Sequence, residues 1–399
     1  MSKKQIFRKE RFGGVRYNSK TLRFKLVSEG PLKTDKVIER DLPKRTDILS
    51  APVRIYFELT RKCNLACKHC FANAGKSAYG GLELKAFEKM LDDMWAHGVI
   101  DIRFTGGEPT VREDWFDILN YAKRKGFVVS LNTNGIYADH LETTKKLASL
   151  DLDQVTISLD GLEKEHDYFR GKGTFRNTMR SMEAMADAGI NLRFNTVITK
   201  LNVHQIPQII AIANGLVEEI NFFYMRPIGR GIGQNHLSLN FEEHFESAKD
   251  AIALRPKYPN LNIMHFEQSF IERSILNSES AGKTMEALPY GNTTLAISCD
   301  GGVWPHGHSS FQDQRLLLGN LMDESLRNIW TESERLDSLR QWFRDLLARC
   351  RECGEYLFRC AGLNFEMEIA KLSGDIEKNQ FCISNTPVPP SKCERDCNK

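Results

Sequence analysis

The sequence predicts an α/β fold: a partial (β/α)6 TIM-like barrel followed by a small cysteine-rich C-terminal domain. Two observations carry this expectation. Apolar, β-rich segments at 53–59, 101–105, 127–132, 153–159, 191–198 and 218–225 alternate with helical periodicity at 82–98, 113–125, 174–188 and 203–216. Such alternation builds right-handed βαβ units around a parallel sheet. The ten cysteines fall in two groups: Cys63, Cys67 and Cys70 stand together, and Cys299, Cys350, Cys353, Cys360, Cys382, Cys393 and Cys397 form the second. Six βα units make a curved sheet open on one side, with its chemistry at the C-terminal strand ends.

From the N-terminus, residues 1–48 are charged and interrupted by Gly and Pro. One hairpin stands out there: Val15-Arg16-Tyr17, a polar turn at Asn18-Ser19-Lys20, then Thr21-Leu22-Arg23-Phe24. Residues 49–235 form the barrel, and 236–285 read as a mainly helical, polar bridge. Residues 286–399 carry short strands, turns, Gly and Cys; they lack the apolar mass for a large core and are expected to be organised by metal. The composition is that of a globular protein, 41% hydrophobic and 27% charged with a net charge of +3. That charge does not point to nucleic acid. No apolar run approaches the ~20 residues of a membrane span, and the basic N-terminus lacks the apolar stretch of a secretory signal. A cytoplasmic protein is expected, in which ten cysteines serve as metal ligands rather than disulfides.

The first cysteine group reads Cys63-x3-Cys67-x2-Cys70, directly after the first barrel strand. A [4Fe–4S] cluster normally takes four thiolates, so three from one loop leave one iron open to a small bidentate cosubstrate. The alternative is a zinc site, with His69 as a fourth ligand. After the second strand comes Phe104-Thr105-Gly106-Gly107-Glu108-Pro109; Asn132-Thr133-Asn134-Gly135 ends strand three and Ser158-Leu159-Asp160-Gly161 ends strand four.

These motifs, in this order, resemble the radical S-adenosylmethionine (SAM) superfamily over about residues 52–235. The resemblance implies that Cys63, Cys67 and Cys70 hold a SAM-cleaving [4Fe–4S] cluster. It implies that Gly106, Gly107 and Glu108 meet the methionine amino group, with the glycines allowing close backbone approach. Ser158 would reach the SAM ribose, with Asp160 and Asn132 as further cofactor contacts. The run His166-Asp167-Tyr168-Phe169-Arg170-Gly171 is similar to the family's HDxxRG segment, in which Arg170 would pair with the SAM carboxylate. His69 occupies a position that is usually aromatic and would lie against adenine.

Residues 299–360 combine Cys299-Asp300-Gly301-Gly302-Val303-Trp304-Pro305, Leu318-Gly319-Asn320-Leu321, Ile329-Trp330 and Cys350-x2-Cys353-x6-Cys360. This resembles the SPASM extension, which houses auxiliary [4Fe–4S] clusters. Cys350, Cys353 and Cys360, closed by Cys382, would complete one cluster; a second would draw on Cys299, Cys393, Cys397 and His306. His306 and Asn364 stand where relatives carry Cys, so one or two auxiliary clusters are both open, and CxxC pairs also suit zinc.

The resemblance implies reductive cleavage of SAM and hydrogen abstraction from an unactivated C–H bond, with net oxidation favoured by the auxiliary clusters. A peptide or protein side chain is the expected substrate, modified by a crosslink, thioether or similar bond. An electron donor such as a flavodoxin or ferredoxin is implied; nucleic acid and membrane are not. The segment Glu10–Tyr17 resembles the start of a PqqD-like leader-peptide-binding fold, although 48 residues are fewer than a whole module. Two alternatives stand beside this: modification of a tetrapyrrole side chain, as in haem and haem d1 biosynthesis, with Arg226 and Arg230 neutralising propionates; and a zinc-binding scaffold without activity.

Overall fold

Strand alternation and helical periodicity build one large sheet with helices on its outer face. The structure is a computed structural model that describes residues 4–30, 34–45, 47–75, 79–225, 228–265, 291–305 and 314–341. Four N-terminal strands come first: β1 (Gln5–Glu10), β2 (Gly13–Asn18), β3 (Arg23–Val27) and β4 (Lys36–Ile38). The barrel strands are β5 (Arg54–Glu58), β6 (Asp101–Thr105), β7 (Val128–Thr133), β8 (Gln154–Ser158), β9 (Leu192–Ile198) and β10 (Glu219–Tyr224). Between them lie α1 (Leu84–Ala96), α2 (Trp115–Lys125), α3 (His140–Ser149), α4 (Glu163–Arg170), α5 (Thr174–Asp187) and α6 (Ile206–Ala213). Then follow α7 (Phe241–Ala253), β11 (Asn262–His265), β12 (Thr294–Ile297), β13 (Gly302–Trp304), β14 (Gly319–Asn320) and α8 (Leu326–Glu332).

The large sheet has the order β11-β10-β9-β8-β7-β6-β5-β12-β13-β14. The six expected strands run parallel in sequence order, and the sheet extends beyond them at both edges. At one edge β11, inside the region expected to be a helical bridge, pairs parallel with β10, after α7 has supplied the helix. At the other edge β12 pairs parallel with β5, aligning Leu295 with Ile55. The described part of the C-terminal region is therefore continuous with the barrel sheet rather than a separate layer. One apolar core runs from Ile6 and Tyr17 through Phe57, Phe104 and Leu131 to Leu295 and Trp330.

Period-two alternation separates the two faces of this sheet. Ile55, Phe57, Ile102, Phe104, Val155 and Ile157 are buried in the apolar core. The intervening residues Tyr56, Arg103, Ser130, Thr156, Arg193 and Glu219 share the inner face, as the pairings Tyr56↔Arg103, Arg103↔Ser130, Thr156↔Arg193 and Arg193↔Glu219 require.

The N-terminal hairpin is part of a four-stranded sheet of order β3-β2-β1-β4, with β2 and β3 in the register Tyr17↔Phe24. This sheet seals the N-terminal ends of the barrel strands. The Tyr17 hydroxyl donates to Asp101 Oδ2 at 2.7 Å, and Arg54 Nη2 donates to Leu22 O at 2.6 Å. Arg8, fully buried, donates to the carbonyls of Ala51, Pro52 and Gly98 and pairs with Glu10 at 2.9 Å. A buried guanidinium survives only with this degree of pairing.

Candidate active site

Backbone hydrogen bonds lock the cysteine loop to the strand ends around it. The loop leaves β5 with Leu59 N–H donating to Thr105 O at 2.8 Å, and it closes on itself through Cys63 N–H to Gly75 O and Gly75 N–H to Arg61 O, both 3.2 Å. The loop after β6 joins it: Gly107 N–H donates to Thr60 O at 2.6 Å and Glu108 N–H to Lys62 O at 2.9 Å. A Cβ on Gly107 would lie 2.1 Å from Lys62 O, and one on Gly106, at φ +151°, 2.4 Å from Thr60 O. The close approach expected of these glycines is thus made to the cysteine loop itself.

Glu108 is buried and held by four donors. Its Oε1 accepts from Thr110 N–H at 3.2 Å, Thr110 Oγ1 at 2.7 Å and Thr133 Oγ1 at 2.9 Å, and its Oε2 accepts from Asn134 N–H at 2.7 Å. Burial nevertheless pushes its carboxyl above the usual range. Glu108 ties the ends of β6 and β7 together beneath the loop. Asn134 continues that tie, donating from Nδ2 to Asn64 Oδ1 at 2.8 Å, 4.0 Å from Cys63 Sγ.

From the far side of the sheet the segment after β10 clasps the same loop. Arg230 donates from Nε to Cys67 O at 2.8 Å, and from Nη1 to Ala74 O at 2.8 Å and Asn73 Oδ1 at 3.1 Å. Its own N–H donates to Cys70 O at 3.0 Å. Gly229, at φ +57°, leaves room for this contact, since a Cβ there would lie 2.4 Å from Phe71 O. Arg230, weighed for neutralising propionates in the tetrapyrrole alternative, has its Nε and Nη1 engaged by the loop.

Behind Cys67 and Cys70 lies a buried polar network. His69 Nε2 is 3.0 Å from Asp160 Oδ2, and Arg170 Nε donates to the same oxygen at 2.6 Å. Val197 N–H donates to Asp160 Oδ1 at 2.9 Å, and Asp160 N–H to His166 Nδ1 at 3.2 Å. Burial alone would raise the Asp160 carboxyl, but Arg170 and His69 hold it far below its ordinary value. Burial and the neighbouring Arg170 push His166 down to about 4, so it is neutral at pH 7. The ring of His69 stands edge-on to Phe169 at 5.0 Å. Asp160 therefore positions His69 and Arg170 rather than projecting into the mouth. His69 Nε2 is held by Asp160, while its Nδ1 is buried without a hydrogen-bond partner among the described residues. A carboxylate so placed orients a histidine that can ligate through its other nitrogen, so the fourth-ligand role weighed for His69 in a zinc site stands beside the cluster reading. Asn132 and Ser158 differ: both sit half-buried on the inner face of the sheet, next to Thr156 and Asn195 in register.

The three thiols suit an iron–sulfur cluster. Burial pushes Cys63 up to about 11, with Cys67 and Cys70 adding to the rise, and burial also raises Cys67 against the pull of Arg170 and Arg230. Thiols so placed become thiolates when metal cations supply the missing positive charge. Among the described residues no three His, Cys, Asp or Glu side chains converge on a single ion; a cluster, with one thiolate per iron, does not need them to.

Cys299 is fully buried, its N–H donating to Glu58 Oε2 at 3.2 Å and its carbonyl accepting from Leu82 N–H at 2.9 Å. It lies directly against the strand that delivers the first cluster loop. Cys350, Cys353, Cys360, Cys382, Cys393 and Cys397, with Arg226, His306 and Asn364, lie outside the described residues. Sequence reasoning missed the roles of Asn64, Asn134, Gly229 and Arg230. The polar run Asn132–Gly135 at a strand end offered a signal for Asn134, and the sequence marked Arg230 as a charge at the mouth but not as a clasp on the loop.

Comparison with known proteins agrees with this geometry. The radical SAM superfamily profile matches residues 57–213, and an iron-sulfur cluster-binding domain profile, SPASM, matches 289–354. Mycofactocin maturase MftC of Mycobacterium ulcerans is 30% identical over 316 residues, 77% of this chain and 82% of the relative. The AdoMet-dependent heme synthase of Methanosarcina barkeri is 30% identical over 349 residues, 84% of this chain and 97% of the relative. Among solved structures, Streptococcus suis SuiB bound to S-adenosylmethionine superposes with a TM-score of 0.72 at 16% identity, covering 96% of this chain and 98% of SuiB.

Proposed function

Since the chain belongs to the radical SAM superfamily and carries the SPASM extension, we propose that it oxidatively modifies a side chain of a peptide or protein, forming a crosslink, thioether or similar bond. The observation that carries this reading is the N-terminal sheet. The likeness to SuiB spans 96% of the chain, too much to leave that sheet out, and SuiB has also been solved with its precursor peptide SuiA. Among the described residues β3 is an edge strand, paired with β2 and exposed at Arg23, Lys25 and Leu26. Such an edge accepts an extended peptide through backbone hydrogen bonds.

Cys63, Cys67 and Cys70 hold the SAM-cleaving [4Fe–4S] cluster in this reading. When bound, that cluster and SAM supply the 5′-deoxyadenosyl radical that abstracts a substrate hydrogen. The protein's part is positional. Gly107, Glu108, Asn134 and Arg230 fix the cysteine loop from both sides of the mouth. Asp160 holds His69 and Arg170 beside Cys67 and Cys70. Asn132 and Ser158 present polar groups to cofactor or substrate from the inner face. Cys299, Cys350, Cys353, Cys360, Cys382, Cys393 and Cys397 are the pool for auxiliary clusters, and a flavodoxin or ferredoxin would supply electrons.

The test is anaerobic incubation of iron-loaded protein with dithionite, SAM and a candidate precursor peptide. Deoxyadenosine, together with a loss of hydrogen mass from the peptide, is the expected result; replacing Cys63, Cys67 and Cys70 by Ala should abolish both. Iron-loaded protein that yields no deoxyadenosine would overturn the reading. The second reading, modification of a tetrapyrrole side chain, is favoured by the 30% identity to the heme synthase. Porphyrin absorbance in the purified protein, and turnover of a porphyrin rather than a peptide, would select it.

A further inference from the structure

The mechanism above leaves unused a group of buried charges on the inner face, one pleat below the mouth. Arg103 precedes Thr105 by two residues, about 7 Å along the strand, and Thr105 leads directly into Gly106 and Glu108. Beside it across the sheet stand Tyr56 and Ser130, and Arg193 couples to both Arg103 and Tyr56. Arg103 and Arg193 are each only 8% exposed.

Their pairing is incomplete. Asp101 Oδ2 is taken by Arg54 Nε at 2.5 Å and the Tyr17 hydroxyl at 2.7 Å, so Arg103 Nε reaches it only at 3.6 Å, too far for a hydrogen bond. Arg193 has a single long contact, Nη1 to Glu219 Oε1 at 3.4 Å, while Asn262 Nδ2 donates to Glu219 Oε2 at 2.6 Å. Among the described residues the Nε atoms of both arginines are buried without a hydrogen-bond partner, as are Ser130 Oγ, Asp101 Oδ1 and the side-chain oxygens of Asn195 and Asn221. Three guanidiniums, Arg54, Arg103 and Arg193, here face two carboxylates among the described residues, Asp101 and Glu219. Burial, with Arg103 adjacent, pushes Arg193 down to about 10. Although burial alone would raise Tyr56, the same guanidiniums hold its hydroxyl below the ordinary value. Buried cations with unmade hydrogen bonds are costly unless an anion completes them.

We infer that this floor is a carboxylate subsite, in which Arg103 and Arg193 receive an acidic side chain or a terminal carboxylate of the substrate and so set which carbon lies beneath the reacting mouth. The inference rests on the peptide-modifying reading only in taking the substrate to enter from that mouth. A planar guanidinium fork suits a carboxylate, and Ser130 Oγ–H offers a further donor.

Ligand-detected NMR on the iron-loaded, full-length protein tests it, using propionate, which mimics the end of a glutamate side chain, against neutral propionamide. Propionate should bind about tenfold or more tightly than propionamide, and Arg103→Gln or Arg193→Gln should each lose about that factor. Glu219→Gln should tighten propionate binding several-fold, because Arg193 loses its competing partner. That gain keeps the test open even if an arginine variant fails to fold. Equal uptake of the two probes, unaltered binding in both arginine variants, or no gain in Glu219→Gln would overturn the inference. Deoxyadenosine formation does not enter this measurement. Selective propionate binding by a protein that makes none would leave the subsite standing while refuting the radical-enzyme reading.

Discussion

Arg230 Nε donates to the carbonyl of Cys67 at 2.8 Å across 163 residues of sequence. With Ala74 O and Asn73 Oδ1 as further acceptors, one guanidinium fixes the curvature of the cysteine loop. Arg230→Gln should lose about 2 kcal/mol of loop stability and retain less iron at Cys63, Cys67 and Cys70. Iron analysis and the reduced-cluster EPR signal, compared with wild type, measure this; undiminished iron would show the clasp to be dispensable.

Gly107→Ala should be more damaging, because the new Cβ would meet Lys62 O at 2.1 Å and that oxygen belongs to backbone. A loss of about 3 kcal/mol is expected, with the cluster loop displaced. Gly233→Ala, which has nothing within 4 Å, serves as the control and should change stability by less than about 0.5 kcal/mol. Urea midpoints of the two variants decide the matter.

Asp160→Asn preserves shape and removes one charge. Arg170, bonded at 2.6 Å, would then be left in a buried position without its counter-charge, at a cost of about 3 kcal/mol. Chemical unfolding of wild type and variant at pH 7 should differ by that amount. Similar midpoints would mean that Arg170 finds another partner.

Acid should weaken the fold through two histidines remote from the cluster. Burial pushes His244 and His265 each down to about 3, against about 6.5 in an unfolded chain. Between those limits the unfolded state binds more protons, so stability is full above about pH 6.5 and falls as the pH drops, by about 1.4 kcal/mol per pH unit for each group. His244→Gln should flatten the decline in unfolding midpoint between pH 7 and pH 5. An unchanged slope would assign the acid sensitivity elsewhere.

The barrel was legible in the sequence because its strands obey simple alternation: 101–105 was expected and Asp101–Thr105 is observed. Strand β1 was not, since Gln-Ile-Phe-Arg-Lys-Glu hides its burial behind Arg8, whose charge is satisfied by Glu10 together with carbonyls more than 40 residues away. Strands β11 and β12 escaped notice as sheet members because four apolar-leaning residues do not reveal their neighbours. At the site, the cysteine spacing and the Gly-Gly-Glu run were readable as local patterns. The true partners of those glycines, of Asp160 and of Arg230 were not, because each is a contact between segments that only the closed sheet brings together.

Strand β12 does more than lengthen the sheet. It covers the edge of β5, the strand whose end carries the first cysteine loop, and Cys299 N–H donates to Glu58 on that same strand. A chain truncated before residue 291 would bare that edge along Arg54–Glu58, and an uncovered edge invites pairing with other molecules. The barrel half expressed alone should therefore aggregate, so that the C-terminal segment guards the solubility of the half that carries the first cysteine loop.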